Sequence, residues 1–273
     1  MNQYDYIIAG SGASGLMLTY RMACDSYFDD KSILIIDKER KRTNDRTWCF
    51  WEEGKGEWDQ ILTKSWDKIL FNSDDYREET KIDPYSYKMI RSAKFYDYLW
   101  DKIDRKSNIT FLEDTVLNIS HKSVGASVLT NQSEYHAEKV FNSIIFHKTY
   151  RQQNRYPVLR QHFVGWFIET EENLFDDSTA TFMDFTVDQK GNCRFMYVLP
   201  LSSKRALVEY TLFSKDLLSR EEYEAEILLY LEKNSINNYK ILEKEEGVIP
   251  MTCYKFWKHN SKNIIHIGTA GGW

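Results

Sequence analysis

The hexapeptide Gly10-Ser11-Gly12-Ala13-Ser14-Gly15 lies between an apolar run, Tyr6 to Ala9, and a stretch of helical spacing, Leu16 to Ala23. A G-x-G-x-x-G turn between strand and helix has a specific physical use. The first glycine permits the tight turn, the second lets a pyrophosphate reach the backbone, and the third lets helix and strand pack closely. Phosphate then sits on the helix N-terminus, which makes Ala13 and Ser14 cofactor-binding positions beside the glycines. A second apolar run, Ser32 to Asp37, follows, and Asp37 stands 22 residues beyond Gly15, where an acid can bind the ribose hydroxyls of an adenosine. This β-turn-α-β order predicts an α/β, Rossmann-like fold that binds FAD or NAD(P).

The far end of the chain bears on which dinucleotide it is. Asn263 to Gly272, NIIHIGTAGG, is an apolar strand running into a turn of small residues. Many flavoproteins close a second contact on the flavin in this way, which makes Gly268 and Thr269 candidate cofactor contacts. A plain helix-start turn reads equally well.

Between these ends the texture changes. Lys38 to Arg46 reads as a solvated loop, and the aromatic cluster WCFW follows at Trp48 to Trp51. Phe95 to Lys102 has helical spacing, with Phe95, Tyr98, Leu99 and Lys102 on one side. Short strands are expected at Ile109 to Leu112, Val116 to Ile119, Ala126 to Thr130 and Lys139 to Ile144. From about Pro157, alternating runs dominate (HFVGWFIET, TATFMDFTV, CRFMYVLPL, ALVEYTLF), which predicts antiparallel sheet, closed by a helix at Glu221 to Asn234. The expected organisation is a discontinuous FAD-binding domain, residues 1–155 plus 246–273, interrupted by a substrate domain of mixed or antiparallel sheet, residues 156–245.

A net charge of −5 gives no reason to expect nucleic acid as a partner. Four scattered cysteines, with no C-x-x-C pair and no histidine at ligand spacing beside them, point to neither metal nor disulfides and fit a reducing cytoplasm. No segment approaches the roughly 18 to 20 uninterrupted apolar residues of a membrane-spanning helix. The 41 aromatic residues suit either an aromatic-rich core or a deep apolar cavity.

Several side chains carry two readings. In RALVEYTLFS, Arg205 to Ser214, strand alternation puts Glu209 on a face with Leu207, Thr211 and Phe213, while Ala206, Val208, Tyr210 and Leu212 form the more apolar face. By pattern alone, that acid belongs on the solvent side. Asp184, within an aromatic run, could handle protons or cap a strand end. Trp48, Phe50 and Trp51 could line a substrate tunnel or pack a seam between domains. The basic run Lys38, Arg40, Lys41, Arg42 could meet phosphate or anionic lipid, or simply be solvated. The histidines show no ligand or triad spacing.

IIAGSGASGL, RTWCFW, LRQHFVGWFIET with TFMDFTVDQ, FMYVLPLS, ALVEYT, GVIPMT and IGTAGGW occur in this order, and the set resembles the lycopene β-cyclases of carotenoid synthesis over essentially the whole chain. Thr269, where related flavoproteins often place an acid, agrees with that resemblance. It implies a flavoprotein akin in fold to aromatic hydroxylases and geranylgeranyl reductases. The activity implied is conversion of the acyclic ends of lycopene to β-rings without net redox change, with FAD kept reduced by NAD(P)H. Glu209 matches the family's acid/base, and Gly10, Gly12 and Gly15 match its nucleotide-binding glycines. With a hydrocarbon substrate, a cytoplasmic protein peripheral to the cytoplasmic membrane is expected, and Trp48, Trp51 and Asp184 become substrate-contact candidates.

Such a cyclisation starts by protonating an alkene to a carbocation that water would intercept, so it needs a dry, aromatic-lined site and an acid whose pKa is raised by burial. A reduced flavin nearby would stabilise the cation electrostatically. Family members continue past the last turn into a largely helical stretch, so the end at Trp273 reads as a fragment or a truncated product. Two rivals remain: another flavoenzyme of the same fold, such as a prenyl reductase or aromatic hydroxylase, and an inactive flavin-binding remnant.

Overall fold

The computed structural model describes residues 2–146 and 149–272. His147, one of the histidines assigned no role, and Trp273, the last residue of the IGTAGGW motif, lie outside the described residues.

The chain visits two units in turn. It builds β1 (Gln3–Ala9), α1 (Ala13–Cys24) and β2 (Ile33–Asp37) in the first unit. It then makes five strands of the second: β3 (Thr47–Glu53), β4 (Lys64–Trp66), β5 (Lys68–Asn72), β6 (Arg77–Lys81) and β7 (Tyr85–Arg91). Back in the first unit come α2 (Ser92–Ile103), β8 (Ile109–Glu113), β9 (Val116–His121), β10 (Ala126–Thr130), β11 (Glu134–Asn142) and α3 (Thr149–Gln152). The second unit then receives β12 (Leu159–Thr170), β13 (Thr179–Asp184), β14 (Cys193–Ser202), β15 (Arg205–Ser214), α4 (Arg220–Lys233) and β16 (Tyr239–Met251). The chain ends in the first unit with β17 (Ile264–His266) and α5 (Gly268–Gly271).

In the first unit the strand order is β8-β2-β1-β11-β10-β9, with β17 also paired to β11. Strands β1, β2, β8, β11 and β17 run parallel, and β9 and β10 are antiparallel additions. The continuous apolar runs of β1 and β2 suit a sheet covered on both faces, and Ile7, Ile8, Ile33 and Ile35 have no exposure. α2 presents Phe95, Tyr96, Leu99, Trp100 and Ile103 to the interior, so its buried stripe is rotated from the one expected; Tyr98 instead packs its ring on Tyr20 of α1. In the basic loop, Arg40 stacks 4.0 Å from the Trp100 ring centre and pairs with Asp104 at 2.5 Å, and Lys41 pairs with Glu39 at 2.8 Å.

The second unit has three layers. A seven-stranded sheet, β16-β12-β15-β14-β13-β5-β6, lies between α4 and a three-stranded sheet, β3-β7-β4. The face that alternation marked as more apolar, Ala206, Val208, Tyr210 and Leu212, packs on Tyr223, Ile227, Tyr230 and Leu231 of α4. That helix starts at a capping box formed by Ser219 and Glu222. On the opposite face, Phe167, Leu199 and Leu207 pack on Trp66, Tyr87 and Met89 of the small sheet.

The domain boundaries therefore differ from the expected ones. The first unit comprises residues 1–44, 92–156 and 253–273, and the second 45–91 and 157–252. Residues 45–91 join the second unit because β5 extends its large sheet, pairing in parallel with β13, while β3, β4 and β7 cover that sheet. Residues 246–252 do so because β16 runs on to Met251 beside β12.

Candidate active site

In the first unit, the glycine turn has the geometry that its spacing requires. Gly10 has φ +99°, and a Cβ there would lie 2.2 Å from Ser143 Oγ. A Cβ on Gly15 would lie 1.9 Å from the Gly10 carbonyl oxygen, so helix and turn meet backbone to backbone. A Cβ on Gly12 would meet nothing within 4 Å, which leaves open space in front of the first residues of α1, Ala13 and Ser14. Asp37 ends β2, and its carboxylate accepts hydrogen bonds from Ser11 N at 2.5 Å and Ser11 Oγ at 3.0 Å, which ties the acid to the turn. The late turn comes to the same place: Gly268, at φ +54°, is so close to Ser14 that a Cβ would lie 2.3 Å from its Oγ, and Thr269 beside it is exposed. These residues fit the adenosine and pyrophosphate of a dinucleotide: open space at a helix start, a backbone free of side chains, and an acid at the end of the adjacent strand.

In the second unit, Glu209 occupies a cleft of about 240 Å³ between the two sheets. Thr47, Trp48, Cys49 and Tyr87 line it from the small sheet, and Phe163, Tyr197, Glu209 and Glu245 from the large one. The solvent-side reading of Glu209 is overturned: its residue exposure is 8%, because the small sheet covers the face that alternation alone leaves open. Two carboxyls meet there. Gly165 of β12 is directly opposite Glu209 on β15 and, on its other side, opposite Glu245 on β16. With no side chain between them, the two acids face the same cleft on either side of the glycine, near enough for Glu245 to raise the Glu209 pKa; a Cβ on Gly165 would lie 3.2 Å from Glu209 Cβ and 3.3 Å from its Cγ.

Each carboxyl has one hydroxyl donor. Thr211 Oγ1 donates to Glu209 Oε1 at 2.7 Å, and Thr47 Oγ1 donates to Glu245 Oε2 at 2.7 Å. Burial first, and then the charge of Glu245, push the Glu209 carboxyl well above the ordinary carboxylate range, against the smaller pull of Thr211. Burial also raises Glu245, but Thr47, Arg91 and Arg46 oppose it. Adjacent acids oppose each other's ionisation, and their titrations are coupled. The surroundings differ: no cation opposes the rise at Glu209, whereas two arginines oppose it at Glu245.

The rest of the cleft is largely aromatic and apolar. Tyr197 is the next residue in register beside Glu209, and its phenol is raised by burial and by Glu209. Phe195 and Phe182 pack edge-on against the Tyr197 ring at 5.1 Å and 5.9 Å between centroids. Burial pushes the Cys49 thiol up to about 12. Tyr87 is raised in the same way.

The other candidates divide. Trp48 lines the cleft. Trp51 does not: it is 42% exposed and packs on Tyr87 and Phe182. Asp184, expected near substrate, is instead on the α4 side of the sheet, where it accepts from Tyr230 Oη at 2.8 Å, Thr186 N at 3.0 Å and Asn72 Nδ2 at 3.3 Å. Those three donors satisfy it away from Glu209, on a separate cleft that it lines with Tyr230 and Asn72. Sequence reasoning missed Glu245 and Gly165. Their signal was weak because Glu245 lies in a charged run, EKEE, on an edge strand, and a single glycine in LRQHFVGWFIET does not say which side chains flank it.

Among the described residues, no group of three or more His, Cys, Asp or Glu side chains could hold a metal ion, and no helix is long and apolar enough to cross a membrane.

The profile of the family described as "Lycopene cyclase protein" matches residues 5–273. A "Lycopene beta-cyclase" from Pantoea ananas is 25% identical over 261 residues, covering 91% of this chain and 63% of that protein. A "Capsanthin/capsorubin synthase, chromoplastic" from Citrus sinensis is 22% identical over 271 residues, covering 91% and 52%. The chain thus spans between half and two thirds of the length of these curated relatives.

Among solved structures, the p-nitrophenol 4-monooxygenase PnpA from Pseudomonas putida superposes with a TM-score of 0.71 at 12% identity, covering 99% of this chain and 74% of that one. A geranylgeranyl bacteriochlorophyll reductase-like protein from Thermoplasma acidophilum gives 0.68 at 12% identity, covering 98% and 71%. The halogenase PltM, in complex with phloroglucinol and FAD, gives 0.66 at 10% identity, covering 98% and 64%. The fold is therefore the α/β fold of FAD-dependent monooxygenases, halogenases and reductases.

Proposed function

The chain belongs to the lycopene cyclase protein family, and we propose that it carries the acid/base centre of a lycopene β-cyclase, which converts acyclic ψ ends of lycopene to β-rings without net oxidation. One observation carries this reading: a carboxyl buried in an aromatic-lined cleft, where desolvation and a second acid beside it push its pKa up. Glu209 holds the proton that the terminal alkene receives. Tyr197, Phe163 and Trp48 line the cleft and offer rings to the positive charge that results, and the small sheet covers Glu209 on the side from which water would trap it. When the ring carbon gives up its proton, the Glu209 carboxylate is basic enough to take it back, so the acid is regenerated in each cycle. FAD fits the glycine turn, with Gly10, Gly12, Ala13, Ser14, Gly15 and Asp37 toward its adenosine pyrophosphate half and Gly268 and Thr269 at the late turn. In reduced form, kept so by NAD(P)H, it would supply negative charge that favours the cation. A hydrocarbon substrate makes a cytoplasmic protein, peripheral to the cytoplasmic membrane, part of the same proposal.

The experiment is expression of the chain, and of a version extended at its C-terminus with a relative's corresponding segment, in a lycopene-accumulating host, followed by pigment analysis. Monocyclic or bicyclic carotenoid that disappears with Glu209→Gln, while bound FAD is retained, supports the reading. Absence of cyclised pigment from both versions, or NAD(P)H consumption in step with substrate reduction, overturns it.

A further inference from the structure

We propose that Glu245 acts as the ionised partner of Glu209: the two carboxyls share one proton across the gap left by Gly165, and Glu245 sets when Glu209 is loaded. As a step in cyclisation this rests on the cyclase reading; as a property of the folded chain it does not.

The arrangement is specific. Three adjacent strands put Glu245, Gly165 and Glu209 in one row, so any side chain at Gly165 would separate the acids. The groups around them are unequal. Arg91 and Arg46 favour the charged form of Glu245, while Glu243, itself paired with Arg91, opposes it, and Thr47 donates to its carboxylate. Around Glu209 stand the Thr211 hydroxyl, the neutral Tyr197, Cys49 and Tyr87, and the uncharged Gln161, Trp48 and Phe163.

The proton balance follows from that inequality. In the resting pair, one proton and one negative charge are present. Donation breaks the Glu209 O–H bond and forms a C–H bond with the alkene's electron pair, leaving a carbocation opposite two carboxylates. Their combined charge stabilises the cation, and their mutual repulsion favours recapture of a proton. When the ring C–H bond breaks, its electrons form the ring double bond and the proton returns to Glu209, restoring the pair. Glu245 transfers no proton itself and acts through the proton held by Glu209, so it is a positioning residue.

The test is infrared titration of the purified full chain. The C=O band of a protonated carboxyl that is absent in Glu209→Gln belongs to Glu209, and it is followed with pH in wild type, Glu245→Gln and Gly165→Ala. Removing the neighbouring charge should lower the midpoint at which the Glu209 band is lost by about one pH unit or more. Gly165→Ala, which wedges a methyl group between the acids, should shift it in the same direction and serves if Glu245→Gln does not fold. In membranes containing lycopene, the alkaline limit of cyclisation should move down with the band. A midpoint that stays in place or rises in both variants overturns the pairing, whatever the activity. A midpoint that falls in a chain that never cyclises lycopene leaves the pairing intact and removes the cyclase reading.

Discussion

Replacing Glu209 by glutamine should change how the stability of the chain depends on pH. In the unfolded chain the carboxyl titrates near its ordinary value of 4.5; in the folded chain burial and Glu245 raise it. The stability tied to Glu209 is therefore fully present below about pH 4.5 and is lost as pH rises toward the folded value, because the folded state keeps a proton that the unfolded state has released. Within that window the loss is about 1.4 kcal/mol per pH unit, hence about 3 kcal/mol between pH 5 and pH 7. That is a large part of the 5–15 kcal/mol that typically holds a domain folded. Glu209→Gln has no proton to release, so its stability should fall less over the same range; groups far from the pair cancel in the difference, and what remains is the titration of the Glu209–Glu245 pair. Urea unfolding of both proteins at pH 5, 6 and 7, followed by tryptophan fluorescence, measures it. Wild type and variant whose midpoints change in parallel would refute the reasoning, because Glu209 would then be ionised in the folded chain.

Other expectations are as direct. Gly12→Ala should leave the unfolding temperature unchanged, since its methyl group meets no atom within 4 Å, yet weaken FAD binding about tenfold or more, equivalent to ~1.4 kcal/mol; unchanged flavin affinity would remove the turn as the cofactor's seat. Asp184→Asn leaves Tyr230 and Thr186 with a poorer acceptor and should cost about 1–3 kcal/mol of stability, while the alkaline limit of cyclisation stays where it is; a shifted limit would return Asp184 to the chemistry. With its thiol pushed up to about 12, Cys49 should resist a thiolate-directed reagent at pH 8, while the exposed Cys24, Cys193 and Cys253 react. Mass mapping of labelled peptides reads this, and equal labelling of Cys49 would show that the cleft is not closed.

Much was legible without a structure. The glycine turn, Asp37 and the flanking apolar runs are local features whose conformations are dictated by neighbours a few residues away, so β1, α1 and β2 could be read directly. Alternation from about Pro157 onward announced β12, β14 and β15 and correctly separated the face that α4 covers. It also singled out Glu209 as an acid on the other face.

What alternation does not carry is whether a face is covered. The cover over Glu209 comes from residues 45–91, whose strands pair mainly with one another (β3 and β4 with β7, β6 with β5) and join the large sheet only through β5, whose partner β13 lies about a hundred positions away. Their membership in the second unit, and with it the burial that turns Glu209 into an acid, exists only once β5 has paired with β13 and the small sheet has closed on the large one. Gly165 and Glu245 became meaningful for the same reason: register across three strands brings together residues 36 and 44 positions from Glu209, and only a folded sheet has a register. By itself the sequence determined that a dinucleotide fold and a β-rich insertion with an acid in an aromatic strand would form, because strand and turn propensities act locally. The tertiary structure decided that this acid is buried beside a second acid and that its pKa is pushed up, because desolvation and like-charge repulsion depend on what distant segments of the chain place around it.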